Sequence, residues 1–185
     1  MKKKLLMTAA MVTTALITAG CGGGSDADDG ASGGGSTGGP VVMGKNGAVD
    51  VNTAGPFAIQ MLAEVNAVRA TSRNCGGQAM PAVAPLSWNA LLAQTAQSHA
   101  QDMSNRNYFA HNSPEGLMAD DRARVAGYQY STLGENIGSG TSSIKEIMTA
   151  WLNSPGHCRT LMEPAFKELG AGYVNFRFVL VFGAP

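Results

Sequence analysis

Three histidines occur in the whole chain, and two stand in segments rich in turn residues: Asn107-Tyr108-Phe109-Ala110-His111-Asn112-Ser113-Pro114-Glu115-Gly116 and Trp151-Leu152-Asn153-Ser154-Pro155-Gly156-His157. Both segments read as loops. Between them lies Gly134-Glu135-Asn136-Ile137-Gly138, a single acid flanked by glycines in an apolar and small stretch. Imidazole and carboxylate groups serve divalent-metal ligation and general acid/base chemistry near neutral pH. Taken by itself, Glu135 is either a solvated loop charge or a buried group with partners, and the spacing favours the loop charge. His99, the third histidine, falls on the apolar stripe of a helix and reads as a core residue, as do Trp88 and Trp151. Two catalytic signatures are missing: there is no His-Glu-x-x-His and no Gly-x-Ser-x-Gly, and Ser154 near His157 has no evident third member of a triad.

The elements that must hold these groups follow from periodicity. Pro56 at a first helical position, with Ala58, Met61, Leu62, Val65 and Val68 at steps of three and four, predicts a helix to about Arg73. Arg69 and Arg73 then complement its negative end. Ser87 reads as the cap of a second helix to about Asn105, with Leu91, Leu92, Thr95, Ala96, His99 and Met103 on one side. Asp120 and Asp121 open a shorter helix that stops at Gly127. Ser143 with Glu146 forms a capping box for a further one, striped by Ile144, Ile147, Met148, Trp151 and Leu152 and ending at Asn153-Ser154-Pro155-Gly156. Phe176, Phe178, Leu180 and Phe182 then alternate at the two-residue period of a strand, with Leu169 to Val174 as its antiparallel partner across Asn175. Helices flanking a small sheet make an α+β layered domain.

The chain has 185 residues, with 13 Lys+Arg against 13 Asp+Glu, 44% hydrophobic and 14% charged residues. The balance lacks the basic field of a nucleic-acid binder. The composition is uneven: no aromatic residue precedes Phe57, and 9 of the 18 residues from Gly22 to Gly39 are glycine. Lys2, Lys3 and Lys4 followed by an uncharged run from Leu5 to Ala19 read as a signal peptide over residues 1–20, too short to span a bilayer. Ile17-Thr18-Ala19-Gly20-Cys21 resembles a bacterial lipobox, with Thr18 where Leu is usual. Cys21 is then the lipidated first residue of an envelope-anchored, exported protein, at the outer membrane if the host has two membranes. Ordinary cleavage and secretion is the alternative. Residues 21–55 read as a flexible, acidic tether, of reach about 30 Å for a Gly-rich chain. The folded domain is expected over 56–185, as a monomer. Cys75 and Cys158 remain as an even pair, which in an oxidising compartment reads as a disulfide; two free buried thiols are the alternative.

Phe109-Ala110-His111, then Arg122 with Ala126-Gly127-Tyr128, then Gly134-Glu135-Asn136-Ile137, then Trp151-Leu152-Asn153-Ser154-Pro155-Gly156-His157 together resemble the bacterial branch of the CAP superfamily (cysteine-rich secretory, antigen 5, pathogenesis-related; SCP-like) over most of residues 56–185. The resemblance implies a three-layer α-β-α sandwich with a cleft lined by His111, Glu135 and His157. Eukaryotic members carry a second Glu where this chain has Ser154. Such a cluster would suit a divalent metal such as zinc with an open position, acid/base chemistry by Glu135 or His157, or a polar brace without turnover. The family also implies a small or lipidic ligand, or another envelope component. The reading is therefore a binding or interaction module, with a hydrolase of envelope peptides or polymers as the alternative.

Overall fold

The computed structural model describes residues 45–185. The expected leader over 1–20, Cys21 and the tether as far as residue 44 lie outside the described residues. The packed chain reaches back beyond Pro56, into residues that composition placed in the tether. Asn46 Nδ2 donates to the Gln129 carbonyl at 2.8 Å, Asn46 Oδ1 accepts from Gln129 N at 2.9 Å, and Ala48 bridges Asn89.

Five helices and six strands follow. Helix α1 (Pro56–Arg69) begins on its proline and buries Ala58, Met61, Val65 and Val68, the expected stripe. Arg69 does more than complement the helix end. It is fully buried, and its guanidinium donates to the carbonyls of Ala84, Leu161 and Glu163, clamping α1 to distant turns. Helix α1 stops at Arg69, short of the expected end near Arg73, and strands β1 (Arg73–Cys75) and β2 (Gln78–Met80) then form a small hairpin. Ser87 and Trp88 form the short strand β3 rather than a helix start, and α2 (Ala90–Asn105) is capped by Asn89, whose Oδ1 accepts from Leu91 N and Leu92 N. Helix α3 (Ala119–Val125) carries Asp120 and Asp121 in its first turn, where carboxylates favour the positive helix end.

Strand β4 (Thr132–Ser139) contains Glu135, so the glycine-flanked acid stands on a strand and not on a loop. Helix α4 (Ile144–Asn153) is capped by Ser143, whose Oγ accepts from Glu146 N, but the expected box does not close: Ser143 N and the Glu146 carboxylate both bond Thr141 instead. Its stop at Ser154-Pro155 is also a start: Pro155 opens α5 (Pro155–Leu161), which places His157 on a helix rather than in the expected loop. Strands β5 (Glu168–Val174) and β6 (Arg177–Ala184) form the C-terminal hairpin, turning at Asn175 and Phe176 in left-handed conformations.

The four-stranded sheet has the order β3-β5-β6-β4, parallel only between β3 and β5. Its two faces explain the alternation in β6. Phe178, Leu180 and Phe182 point into one core with α1, α4 and α5, while Val179 and Val181 point into another with α2 and α3. Side chains on both faces are buried, and each is worth roughly 1.5–3 kcal/mol against exposure. This is the α-β-α sandwich. Helix α2 lies very close to β5: a Cβ on Gly170 or Gly172 would meet α2 backbone atoms within 2.0–2.6 Å, so only glycine permits that approach. Among the described residues β4 is an edge strand of the sheet, with α3 beside one face and α5 beside the other.

Candidate functional site

Glu135 projects from β4 toward α3, and its side chain is 4% exposed. Burial of a bare carboxylate is costly, so its partners decide its role. Arg122 Nη2 donates to Oε2 at 2.7 Å, and His111 Nδ1 lies 2.8 Å from Oε1. A carboxylate only accepts, which assigns the His111 proton to Nδ1 and leaves Nε2 free to accept. The same guanidinium reaches back into the α2–α3 loop, where Arg122 Nη1 donates to the carbonyls of His111 and Leu117 at 3.0 and 2.7 Å. Arg122 thus ties the middle and the C-terminal end of that loop to the strand. Its side chain is 10% exposed and Nε has no partner among the described residues.

His99 is the core histidine its helical stripe indicates. It is buried, and its Nε2 donates to the Ala110 carbonyl at 2.9 Å, immediately before His111. Burial, the leading effect, depresses its pKa below the ordinary histidine value. His99 therefore positions the loop that presents His111, whose own ring is half-exposed.

His157 stands on the other side of β4. Asn136, whose side chain alternates with that of Glu135, donates from Nδ2 to the His157 carbonyl at 3.1 Å. Cys158 next to it is joined to Cys75 across a separation of 83 residues, which excludes it as a free nucleophile and anchors α5 to the β1–β2 hairpin. The His157 pKa is lowered, first by burial and then by the neighbouring His111. The two histidines therefore flank β4, the His111 ring bonded to Glu135 on one face and the His157 backbone to Asn136 on the other, near enough for His111 to act on the His157 ring. Ser154 ends α4 and starts α5, and its hydroxyl makes no hydrogen bond to His111 or Glu135 among the described residues.

A three-ligand metal site does not fit this arrangement. Both oxygens of Glu135 are engaged, one by a guanidinium that a metal would have to displace, and no three His, Cys, Asp or Glu side chains among the described residues are grouped to hold a metal. Each oxygen of Glu135 already accepts one hydrogen bond, from the Arg122 guanidinium and from the His111 ring. The sequence reading placed Arg122 in a motif but gave it no role. The available signal was the acid itself: a carboxylate among glycines and apolar residues requires a cation from elsewhere in the chain. Beside Glu135 and His111, a cleft of about 510 Å³ opens along Leu133, Gly134 and Met118.

A model of the "Cysteine-rich secretory protein family" matches residues 62–181. The uncharacterized protein YkwD of Bacillus subtilis (strain 168) is 39% identical over 91 residues, covering 49% of this chain and 35% of that protein. The uncharacterized membrane protein YlbC of the same strain is 32% identical over 90 residues, covering 49% and 26%. The matches thus span only 35% and 26% of these curated relatives. Among solved structures, an extracellular protein containing an SCP domain from Bacillus anthracis superposes with a TM-score of 0.61 at 28% identity, covering 69% of this chain and 40% of that one. A cysteine-rich secretory protein from Staphylococcus aureus gives 0.52 at 20% identity, covering 69% and 39%, a likeness of fold alone.

Proposed function

Because the chain belongs to the cysteine-rich secretory protein family, we propose that it is an exported domain, anchored to the cell envelope through Cys21 and its tether, that binds an envelope component in the cleft beside His111. The observation that carries this reading is the closed Arg122–Glu135–His111 network. A carboxylate engaged on both oxygens braces a cleft wall better than it moves protons. The paired cysteines, Cys75 and Cys158, favour an oxidising compartment, and the extracellular relative with the same fold supports export.

Two measurements test the proposal. In the native host, wild-type protein fractionates with membranes and Cys21→Ser moves to the soluble fraction; equal membrane retention sinks the lipid anchor. Peptidoglycan fragments and envelope lipid extract, added to the labelled protein, shift the resonances of His111 and Met118. Turnover of envelope peptides by wild-type protein, lost in Glu135→Gln and His157→Ala, would instead establish the hydrolase.

A further inference from the structure

Among the described residues, β4 has a partner on only one side. In its register with β6, Gly138 faces Phe178, and Gly140 N donates to the Phe176 carbonyl at 3.2 Å. The even-numbered residues of β4 therefore exchange hydrogen bonds with β6, and the N–H and C=O of Leu133, Glu135 and Ile137 point away from the sheet. Ile137 shows this orientation directly, since Trp151 Nε1 donates to its outward carbonyl at 2.9 Å. Among the described residues, no group reaches the outward N–H or C=O of Leu133 or Glu135.

That unpaired stretch is the floor of the cleft. Leu133, Gly134 and Glu135 all line it. Side chains of a strand alternate between faces, so a cavity touching three successive residues runs along the backbone edge itself. The imidazole of His111 stands on one side of this edge, and Asn136 holds the backbone of His157 on the other. A row of outward donors and acceptors at strand spacing is matched by one kind of molecule, another extended backbone.

Charge narrows the choice. Glu135 is neutralised by Arg122, and Asp120 on the cleft wall pairs with Arg124 at 3.0 Å, so the walls offer no unpaired charge to a strongly charged ligand. They offer exposed Met118 and the accepting Nε2 of His111.

We propose that the cleft binds an extended, uncharged polypeptide segment of a partner protein as an added strand on β4. Leu133 and Glu135 supply the main-chain hydrogen bonds, a β-branched or apolar side chain lies against Met118, and a hydroxyl donates to His111 Nε2. This rests on the binding-module reading and names its ligand class.

The test uses the full chain, ¹⁵N-labelled, with the blocked peptide acetyl-Thr-Val-Thr-Val-Thr-amide at millimolar concentration as probe. Free protein should exchange the Leu133 and Glu135 amides quickly, and the peptide should slow both by about tenfold or more, as closure of an open edge does. The same peptide N-methylated at alternate residues along the pairing edge should give no protection. Leu133→Pro, which removes an outward N–H without touching the β6 ladder, should weaken binding in the same way.

Amides already protected before peptide is added would overturn the proposal, because the chain's own N-terminal segment or a second copy then holds the edge. Shifts at His111 and Met118 without amide protection would overturn strand pairing and leave the binding module standing. Silence toward the peptide overturns the proposal; silence toward envelope extract as well removes the binding-module reading with it.

Discussion

Replacing Arg122 with Met isolates the interaction that holds the cleft wall. The guanidinium is the cationic partner of a carboxylate whose side chain is 4% exposed, and it also carries two loop carbonyls. Removing one member of a buried ion pair costs about 3–5 kcal/mol, because the other charge stays behind. Here His111 still bonds Glu135, and water can reach the exposed loop carbonyls, so the lower end applies, about 3 kcal/mol. That corresponds to a fall in Tm of roughly 10 °C for a domain of this size. Urea denaturation at neutral pH measures it, provided the m-value is unchanged. A double-mutant cycle with Glu135→Leu separates charge from packing. With both charges gone, the double variant should recover about 2 kcal/mol relative to the sum of the singles. Loss of less than 1 kcal/mol in Arg122→Met, or additive singles, would refute the claim that Arg122 compensates a buried carboxylate.

Cys75→Ala with Cys158→Ala opens a closed loop whose ends are 83 residues apart. The chain-entropy model gives a loss of about 4–5 kcal/mol, read by urea denaturation, and a loss below about 1 kcal/mol would show that the bridge adds nothing. Acid should weaken the fold as the buried histidines take up protons on unfolding. His99 and His157 have lowered pKa values, so the unfolded chain binds more protons as pH falls from about 6.5. Their contribution is full above that pH and is lost on acidification toward the folded values. Tm should drop between pH 7 and 5, by less in His99→Gln; a flat profile contradicts the assignment. Zinc added to the full chain should give neither calorimetric heat nor a rise in Tm, and a rise abolished by His111→Ala would restore the metal site.

The layered fold was legible because its signals are local. The α1 and α4 stripes, the Ser143 cap and the β5–β6 hairpin each depend on neighbours within a turn or a strand. The misread segments depend on distant partners. Glu135 looked like a loop charge because Arg122, which neutralises it, sits thirteen positions earlier on another element. α5 was hidden because Ser154-Pro155 ends one helix and begins the next, and a proline marks either event. Ser87-Trp88 was read as a helix start because a two-residue strand has no period of its own. It becomes a strand only by pairing with Glu168 and Leu169. The cleft residues His111, Glu135 and His157 were chosen through the family resemblance. The structure joins the first two directly and sets the third across the strand.

The bridge between Cys75 and Cys158 also fixes an order of events. It cannot close until residue 158 has emerged, and the helix it secures carries His157. A chain held in a reducing compartment leaves α5 without its covalent tie to the β1–β2 hairpin. The tie between α5 and the hairpin is therefore a late product, which closes only after residue 158 is made and only where thiols can be oxidised.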